Sequence, residues 1–543
     1  MLYSTLAIFS GLLTLASTAV CRPRADMCSV AALSSGLGSN ATVLSATFVA
    51  AGGSFGEGTA NPAFPINPTH LPATCAVLVN VTTTSTSSFR FGLFLPTTTW
   101  NERYLTVGNG GFSGGINWLD MGAGLQYGFA VASTDMGHNS SIFDLSWALN
   151  QPEKRNDFGY RATHGTTVIA KSLVRTFYGS APKYSYYSGC STGGRQGLKS
   201  AQVYPEDFNG MLVGAPAYWT KRLQTWTTKL GLYNLPETGP NHVGAEMFPV
   251  LAAEAIRQCD AVDGVTDGII SAPQKCKFNP ATLSCNSTQT TNCLSSAQLQ
   301  TIQNVYSDYT INGQLAFPGL ELGSEAQWAV LLSGSTPNPL GYEYIQDFLL
   351  NDPNWPFESY DDSLVALADK LDPGSCTADN YAAMAGYQKR GGKVLMYHGQ
   401  SDGLISTRSS THFYESVAST LGIGGTKGLN SWFRFFLVPG MQHCTGTAVD
   451  APWYFAGGNQ AGAVGTDVFS VPGFTDAKHD ALMALMQWTE NGTPVDNIIA
   501  TTWKNSTDPS SGVLKQRPLC PYPSEAVYKG SGDVNAAASW KCS

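Results

Sequence analysis

The strongest chemical signal in the sequence lies at residues 184–197. A short apolar run ends in Gly-Cys-Ser-Thr-Gly, with Ser191 at the centre of a G-x-S-x-G pattern, directly before a helix-like stretch. Gly189 and Gly193 allow the tight turn from strand to helix that exposes a nucleophilic hydroxyl. A helix N-terminus at that point would stabilise negative charge that develops on a substrate. Ser191 is therefore the candidate nucleophile.

A nucleophilic serine needs a histidine to accept its proton and an acid to orient that histidine. Asp402 follows the apolar run at 393–397, and His443 follows the run at 432–438. Both occur after Ser191, in the order serine, acid, histidine that α/β-hydrolases use. As alternatives, Asp402 could serve a turn and His443 an ordinary loop. The other histidines rank lower because they precede Ser191, pack at a strand end or cap a helix: His138, His164, His398 and His479.

Two cysteines flank these candidates, because Cys190 precedes Ser191 and Cys444 follows His443. A bridge between them would hold the turn of the nucleophile against the loop of the base, and small errors in such placement are costly for catalysis. It would also restrict the unfolded chain. From the residues alone, two unrelated structural cysteines remain an equal alternative.

The elements that would position these residues are short buried strands, each followed by glycine or by a helix-like stretch. The predicted strands are at 103–107, 128–132, 184–187, 210–213, 393–397 and 432–438. Helices are predicted at 194–203, 246–257 and 480–490. Parallel strands that are buried on both faces give continuous apolar runs, so we expect an α/β fold with a mostly parallel sheet.

The strand pattern stops between about residues 218 and 388. This segment holds five of the 12 cysteines together with proline-rich turns, and we interpret it as a lid inserted into the α/β body. The predicted organisation is a signal peptide at 1–19, a catalytic domain at 20–217 and 389–543, and a lid domain at 218–388.

Residues 1–19 form a short apolar run ending in small residues, which is typical of a secretory signal peptide, with a membrane anchor as the alternative. No later segment is apolar enough to span a bilayer, so we expect no membrane partner. The formal net charge of -8 makes nucleic acid an unlikely partner. Six N-x-[ST] sequons support export and glycosylation: Asn40, Asn80, Asn139, Asn286, Asn491 and Asn505. We expect a secreted, extracellular protein.

The even number of cysteines favours disulfides in an oxidising compartment. No C-x-x-C pairs with matching spacing support a zinc site. Short spacing predicts three local bridges: Cys259–Cys276, Cys285–Cys293 and Cys520–Cys542.

Three aspartates lie close together in the predicted lid, at Asp260, Asp263 and Asp267, with glycines between them. Crowded carboxylates repel one another unless a hard cation joins them, and Ca²⁺ prefers carboxylate and carbonyl oxygens. The spacing does not fit an EF-hand loop, and an acidic solvated turn is the alternative. No organic cofactor is expected.

The candidate triad and its flanking cysteines resemble the CS-D-HC motif of the tannase and feruloyl esterase family: Cys190-Ser191, Asp402 and His443-Cys444. Similar supporting stretches begin at residues 108, 132, 189 and 391, and the resemblance runs from about residue 28 to residue 542. It implies an α/β-hydrolase fold with a lid, hydrolysis of carboxylic esters, and a catalytic disulfide between the two flanking cysteines.

The same resemblance implies further roles. The oxyanion hole would be formed by the backbone N–H groups of Gly111 and Thr192. A structural calcium ion in the lid would have these ligands: the side chains of Asp260, Asp263 and Asp267 and the carbonyls of Val265 and Ile269. A fifth disulfide, Cys28–Cys75, is also implied, which leaves Cys21 and Cys376 unassigned.

Within the family, the choice of substrate lies between feruloyl esters of cell-wall sugars and gallate esters of tannins. Thr192 and Gln196 stand where tannases carry acidic residues, so the chain looks like the feruloyl esterase branch. The expected substrate is a small phenolic ester or a feruloylated oligosaccharide, as in xylan degradation, with lid aromatics forming an apolar pocket for the phenolic ring. A tannase is the nearer alternative, and a non-catalytic protein that binds phenolics or carbohydrate is the more distant one. Nothing in the sequence indicates an oligomeric state.

Overall fold

A computed structural model describes residues 24–464 and 470–543. The predicted signal peptide at 1–19 and Cys21 lie outside the described residues. In the part of the chain that is described, no helix has the length and apolar character needed to cross a membrane.

The described residues form fifteen strands, numbered in chain order: β1 (Ala41–Val49), β2 (Thr74–Thr84), β3 (Ser87–Pro96), β4 (Arg103–Val107), β5 (Ala130–Thr134), β6 (Tyr184–Cys190), β7 (Gly210–Gly214), β8 (Tyr309–Ile311), β9 (Gln314–Phe317), β10 (Lys393–Gly399), β11 (Phe433–Val438), β12 (Ile498–Asn505), β13 (Asp508–Leu519), β14 (Ala526–Tyr528) and β15 (Trp540–Cys542). Nine of them build one sheet in the order β1-β2-β3-β5-β4-β6-β7-β10-β11. The pairs from β5 to β11 are parallel, and the pairs from β1 to β5 are antiparallel.

The α-helices of the described residues are α1 (Val30–Ser34), α2 (Trp118–Gln126), α3 (Pro152–Asn156), α4 (Ala162–Tyr178), α5 (Thr192–Val203), α6 (Thr220–Tyr233), α7 (Met247–Cys259), α8 (Ser296–Tyr306), α9 (Ala329–Leu332), α10 (Pro339–Glu343), α11 (Ser363–Leu371), α12 (Met384–Lys389), α13 (Thr407–Thr420), α14 (Gly458–Val464) and α15 (Ala481–Asn491). The sheet is covered on both faces, by α4, α5 and α13 on one side and by α2 and α15 on the other. The α/β class is therefore confirmed.

Burial on both faces explains why the central strands are recognisable as apolar runs. Along β10, Val394 and Met396 belong to one hydrophobic cluster, and Leu395 and Tyr397 belong to the other. Successive side chains point to opposite faces of a strand, so a sheet covered twice needs apolar residues at every position. The predicted strand at 128–132 begins two residues later, at Ala130.

The antiparallel strands β1, β2 and β3 are absent from the sequence-based prediction. β1 lies at the edge of the sheet with only Val43 and Val49 buried, and it leaves Leu44 and Phe48 each 49% exposed. An edge strand of this kind has no continuous apolar run. β2 and β3 are largely buried interior strands, but they form a hairpin instead of a strand followed by a helix. The sheet is therefore mixed, with its parallel part carrying the predicted site residues.

Residues 218–388 contribute no strand to the nine-stranded sheet, and their strands are the β8–β9 hairpin alone. Apart from a small cluster of Ala255, Cys259 and Ile270, the hydrophobic core of the segment is continuous with that of the body. Trp226 and Trp328 of the segment share one buried cluster with Phe413 and Phe435 of the body. The division into a lid domain and a catalytic domain stays a prediction, and we refer to residues 218–388 as the insert.

Five disulfides are formed among the described residues, and they match the predicted pairs: Cys28–Cys75, Cys190–Cys444, Cys259–Cys276, Cys285–Cys293 and Cys520–Cys542. Cys376 is the free cysteine of the described part of the chain, and it is fully buried.

Candidate active site

Ser191 occupies a strained turn between β6 and α5. Its backbone has φ 62° and ψ -121°, a conformation that residues with a Cβ rarely adopt and that marks functional sites. The turn is tight, since a Cβ at Gly189 would lie 2.9 Å from the backbone of Gly193. The N–H of Ser191 donates to the carbonyl of Gly214 at 3.0 Å, which ties the turn to β7. The predicted strand–turn–helix arrangement is present.

Asp402 and His443 form a hydrogen-bonded pair. Asp402 Oδ2 lies 2.7 Å from His443 Nδ1 and its other oxygen, Oδ1, accepts the N–H groups of Leu404 and Ile405 at 2.9 Å each. Asp402 is fully buried. Burial alone would raise the pKa of Asp402, but His443 and the nearby His398 outweigh it and hold that pKa well below its ordinary value. Asp402 is therefore an anion that fixes the orientation of the His443 ring.

The Cys190–Cys444 disulfide connects the turn of Ser191 to the loop of His443, with a Cα–Cα distance of 5.9 Å. Although the bridge joins their chain neighbours, no hydrogen bond forms between Ser191 and His443, both of which are described residues. Catalytic hydrogen bonds are often long before substrate binds and shorten in the reacting complex. With Nδ1–H donated to Asp402, Nε2 of His443 is the nitrogen available as a base.

The predicted oxyanion-hole residues lie side by side. Thr192 Oγ1 donates to the carbonyl of Gly111 at 2.7 Å, which joins the glycine-rich loop to the start of α5. Within the described chain, neither the N–H of Gly111 nor that of Thr192 donates to a protein acceptor. Gly111 has φ 53°, and a Cβ there would lie 2.2 Å from Cγ2 of Ile142, so the position requires glycine. Two unpaired N–H groups are thus available for a developing oxyanion.

Two residues that sequence reasoning did not assign to the site support the oxyanion loop. The carbonyl of Phe112, next to Gly111, accepts hydrogen bonds from His138 Nε2 at 3.0 Å and Trp147 Nε1 at 3.1 Å. The two donor rings stack with their centroids 3.6 Å apart. Burial lowers the pKa of His138 to about 4, so the ring is neutral and donates from Nε2. The chain order that ranks His138 low as a base does not reveal this contact.

The insert contributes one side chain to the Asp402–His443 pair. Gln327 Oε1 accepts two backbone N–H groups at 3.0 Å each, that of Gly403 and that of His443. The loop after β10 and the loop after β11 are therefore held together by a residue that precedes both by more than 70 positions in the chain. No local pattern around Gln327 indicates this role.

The acidic loop of the insert is ordered by its own backbone. Asp260 accepts the N–H groups of Asp267 at 3.1 Å and Gly268 at 3.0 Å, one on each carboxylate oxygen. Asp263 Oδ1 accepts the N–H of Val265 at 2.9 Å, while its Oδ2 is buried without a partner. Burial raises the pKa of Asp263. An unpartnered buried oxygen is the one feature of this loop that fits a cation ligand.

The remaining predicted ligands are engaged elsewhere. Asp267 forms an ion pair with Arg517 and also accepts the N–H of Ile269 at 3.2 Å. Among the described residues, no group of three or more His, Cys, Asp or Glu side chains is arranged to hold a metal ion. The residues fit calcium in donor chemistry but not in arrangement, and the calcium site stays a prediction.

Comparisons of the sequence and of the fold with known proteins give consistent matches. Residues 75–543 match the family model described as tannase and feruloyl esterase. A protein from Aspergillus terreus named probable feruloyl esterase B-2 is 35% identical over 470 residues, which are 86% of each chain. Feruloyl esterase B from Aspergillus oryzae has a solved structure with a TM-score of 0.86 and 33% identity, covering 95% of this chain and 100% of that one. A tannin acyl hydrolase from Aspergillus niger shares the fold, with a TM-score of 0.73 at 21% identity and coverage of 96% and 95%. The predicted α/β-hydrolase fold is confirmed.

Proposed function

Because the chain belongs to the tannase and feruloyl esterase family and is a carboxylic ester hydrolase, we propose that it cleaves ferulate and related hydroxycinnamate esters of plant cell-wall polysaccharides. The observation that carries the proposal is the buried Asp402–His443 pair, connected through the Cys190–Cys444 disulfide to the strained turn of Ser191.

The proposed reaction follows from the positions of these groups. Ser191 Oγ attacks the acyl carbon while His443 Nε2 takes the hydroxyl proton, and Asp402 stabilises the resulting imidazolium. The N–H groups of Gly111 and Thr192 donate to the oxyanion of the tetrahedral intermediate. His443 then gives its proton to the leaving alcohol, which leaves an acyl-enzyme on Ser191. Water, activated by His443, releases the free acid by the same steps in reverse.

A hydroxycinnamate substrate suits the surface beside the oxyanion loop. Ile142, whose carbonyl accepts the N–H of Phe112, and its neighbour Phe143 leave 42% and 39% of their surface exposed. The exposed apolar side chain of Ile142, next to Gly111, offers contact to a phenylpropenoyl group, which is less hydroxylated than the gallate ring. These residues lie in the body, whereas the sequence analysis expects aromatics of the lid to form the pocket.

The test compares wild type and Ser191→Ala on methyl ferulate, methyl caffeate and methyl gallate. We expect wild type to cleave the ferulate and caffeate esters with higher kcat/KM than the gallate ester, and Ser191→Ala to cleave none at a comparable rate. Dominant cleavage of the gallate ester would instead assign the chain to the tannases. Equal turnover by both proteins would exclude a serine esterase and favour a non-catalytic binding protein.

We also propose that the protein is secreted and glycosylated. The apolar run at 1–19 and the five disulfides support secretion. Of the sequon asparagines, Asn80 is half-buried, whereas these five are exposed: Asn40, Asn139, Asn286, Asn491 and Asn505. Intact mass before and after endoglycosidase treatment of the secreted protein tests this, and an unchanged mass would contradict glycosylation.

A structural calcium ion in the insert is a further proposal, supported by the buried, unpartnered Asp263 Oδ2. When bound, the ion would neutralise crowded carboxylates and stabilise the insert, with no part in the reaction steps. We expect EGTA to lower Tm and added Ca²⁺ to restore it in wild type, with no response in Asp263→Ala. A Tm of wild type that is independent of both additives would contradict the proposal.

A further inference from the structure

The carboxylate of Asp402 contacts a second histidine besides His443. His398, the sixth residue of β10, is fully buried, and its Nε2 lies 2.9 Å from Asp402 Oδ2, the same oxygen that receives His443 Nδ1 at 2.7 Å. Together with the N–H groups of Leu404 and Ile405 on Oδ1, four N–H donors surround the carboxylate. From the sequence alone, His398 is expected only to pack at the end of its strand.

The hydrogen bonds of His398 place a proton on Nε2. Nε2 also lies 3.1 Å from the carbonyl of Ile405, so it faces two acceptors and must carry a proton. On the other side of the ring, Nδ1 lies 2.8 Å from the hydroxyl of Ser410 on α13. Ser410 Oγ has no other hydrogen-bond partner among the described residues, so its O–H is free to donate to Nδ1. A ring with a proton on Nε2, facing a hydroxyl that can donate to or accept from Nδ1, satisfies every one of these contacts.

Among the described residues, His443 and His398 are the ionisable side chains that contact the carboxylate of Asp402. His443 faces Asp402 from the loop after β11, and His398 faces it from β10. Gln327, from the insert, and Ser410, from α13, are neutral. Oδ2 therefore accepts hydrogen bonds from two imidazole N–H groups. The hydrogen bond from His398 weakens the stabilisation that Asp402 gives to a protonated His443 ring.

We propose that His398 is a positioning residue of the hydrolytic reaction, which holds Asp402 Oδ2 toward His443 and sets how strongly the carboxylate favours the protonated form of the His443 ring. The proposal rests on the proposed mechanism through Ser191. A purely structural role would affect stability alone, whereas a role through Asp402 changes the pH at which activity is lost on acidification, because that limb of kcat/KM reports protonation of the base in the free enzyme.

The test measures kcat, KM and the pH profile of kcat/KM on methyl ferulate for wild type, His398→Leu, His398→Gln and Ser410→Ala. In His398→Leu, Oδ2 loses one hydrogen-bond donor and stabilises a protonated His443 ring more strongly. We therefore expect the acid limb of the kcat/KM profile to move to higher pH by about 0.5 to 1 unit. We expect kcat to fall by about 10- to 100-fold with little change in KM. Because Gln carries an N–H donor on a side chain of similar reach, His398→Gln should bring the limb back toward its wild-type position. Ser410→Ala keeps the ring and should shift the limb in the same direction by less.

The matched control is His164→Leu, which breaks another contact between histidine and aspartate, at 2.8 Å to Asp207, in a part of the structure with no role in the proposed reaction. It should leave the acid limb unchanged. An acid limb that stays at the wild-type pH in both His398→Leu and Ser410→Ala would overturn the proposal, whatever happens to Tm. If His398→Leu does not fold, Ser410→Ala and His398→Gln decide the outcome. An inactive wild type would instead refute the proposed function.

Discussion

Removal of the Cys190–Cys444 bridge should reduce both stability and turnover. The double variant Cys190→Ala with Cys444→Ala opens a loop with a sequence separation of 254 residues. In the chain-entropy model, closing a loop of that length restricts the unfolded state by about 5.5 kcal/mol, which is an upper estimate because other cross-links remain. Turnover should fall in addition, because the bridge joins the residues next to Ser191 and His443, and misplacement of reacting groups by about 1 Å costs on the order of 100-fold.

A second bridge provides the matched control. Cys285–Cys293 in the insert has a sequence separation of 8 residues and joins no residue of the site. The same model gives about 2.6 kcal/mol for a loop of this size. The double variant Cys285→Ala with Cys293→Ala should therefore lose part of its stability and keep the wild-type kcat.

The assay combines urea unfolding, which gives the free energy of unfolding, with kcat and KM at a temperature where each variant is fully folded. We expect the Cys190/Cys444 variant to lose about 10- to 100-fold in kcat while KM changes little. Wild-type kcat in this variant, together with a reduced free energy of unfolding, would show that the bridge acts on stability alone and would refute the positional argument.

Three further changes test two residues that support the site and one buried carboxyl group of the insert. Thr192→Val removes the hydrogen bond to the carbonyl of Gly111 and should lower kcat by about 10- to 100-fold, up to the effect of losing one oxyanion donor. Thr192→Ser keeps the hydroxyl and should retain activity. Equal kcat values for Thr192→Val and Thr192→Ser would contradict this role. Gln327→Leu leaves two backbone N–H groups unpaired, including that of His443, and should cost about 1 to 3 kcal/mol of stability as well as kcat, while wild-type kcat would show that the insert does not position the pair. Burial raises the pKa of Glu321 to about 7, so the folded state holds its proton to higher pH than the unfolded state does. Wild type should therefore lose stability relative to Glu321→Gln as pH rises from about 4.5 to 7, by at most about 3 kcal/mol, and a pH-independent difference in Tm would contradict that assignment.

The parallel half of the fold and the nucleophile could be predicted because their signals are local. A strand buried on both faces is apolar at every position, and the turn at Ser191 requires small residues at fixed offsets. The antiparallel strands β1 to β3 lack the pattern of a buried strand followed by a helix. β1 is a largely exposed edge strand, and β2 and β3 form a hairpin with no helix between them.

The residues that support the site make tertiary contacts, which leave no pattern of residue spacing in the sequence. Gln327 reaches the Asp402–His443 pair only because the insert packs over the loops after β10 and β11. His138 and Trp147 reach the oxyanion loop through a stacked pair formed in the folded protein. The same limit applies to the acidic loop, where the sequence shows three carboxylates but not that Asp267 pairs with Arg517 from the distant strand β13.

The central claim is that the Ser191 hydroxyl, activated by His443 and Asp402, carries the acyl group. The most direct measurement quenches methyl ferulate turnover with acid before the first cycle is complete, digests the protein and locates the acyl group by peptide mass mapping. We expect a feruloyl group on Ser191 in wild type and no acylated peptide in Ser191→Ala. An acyl group on any other residue, or ferulate release by Ser191→Ala at the wild-type rate, would contradict it.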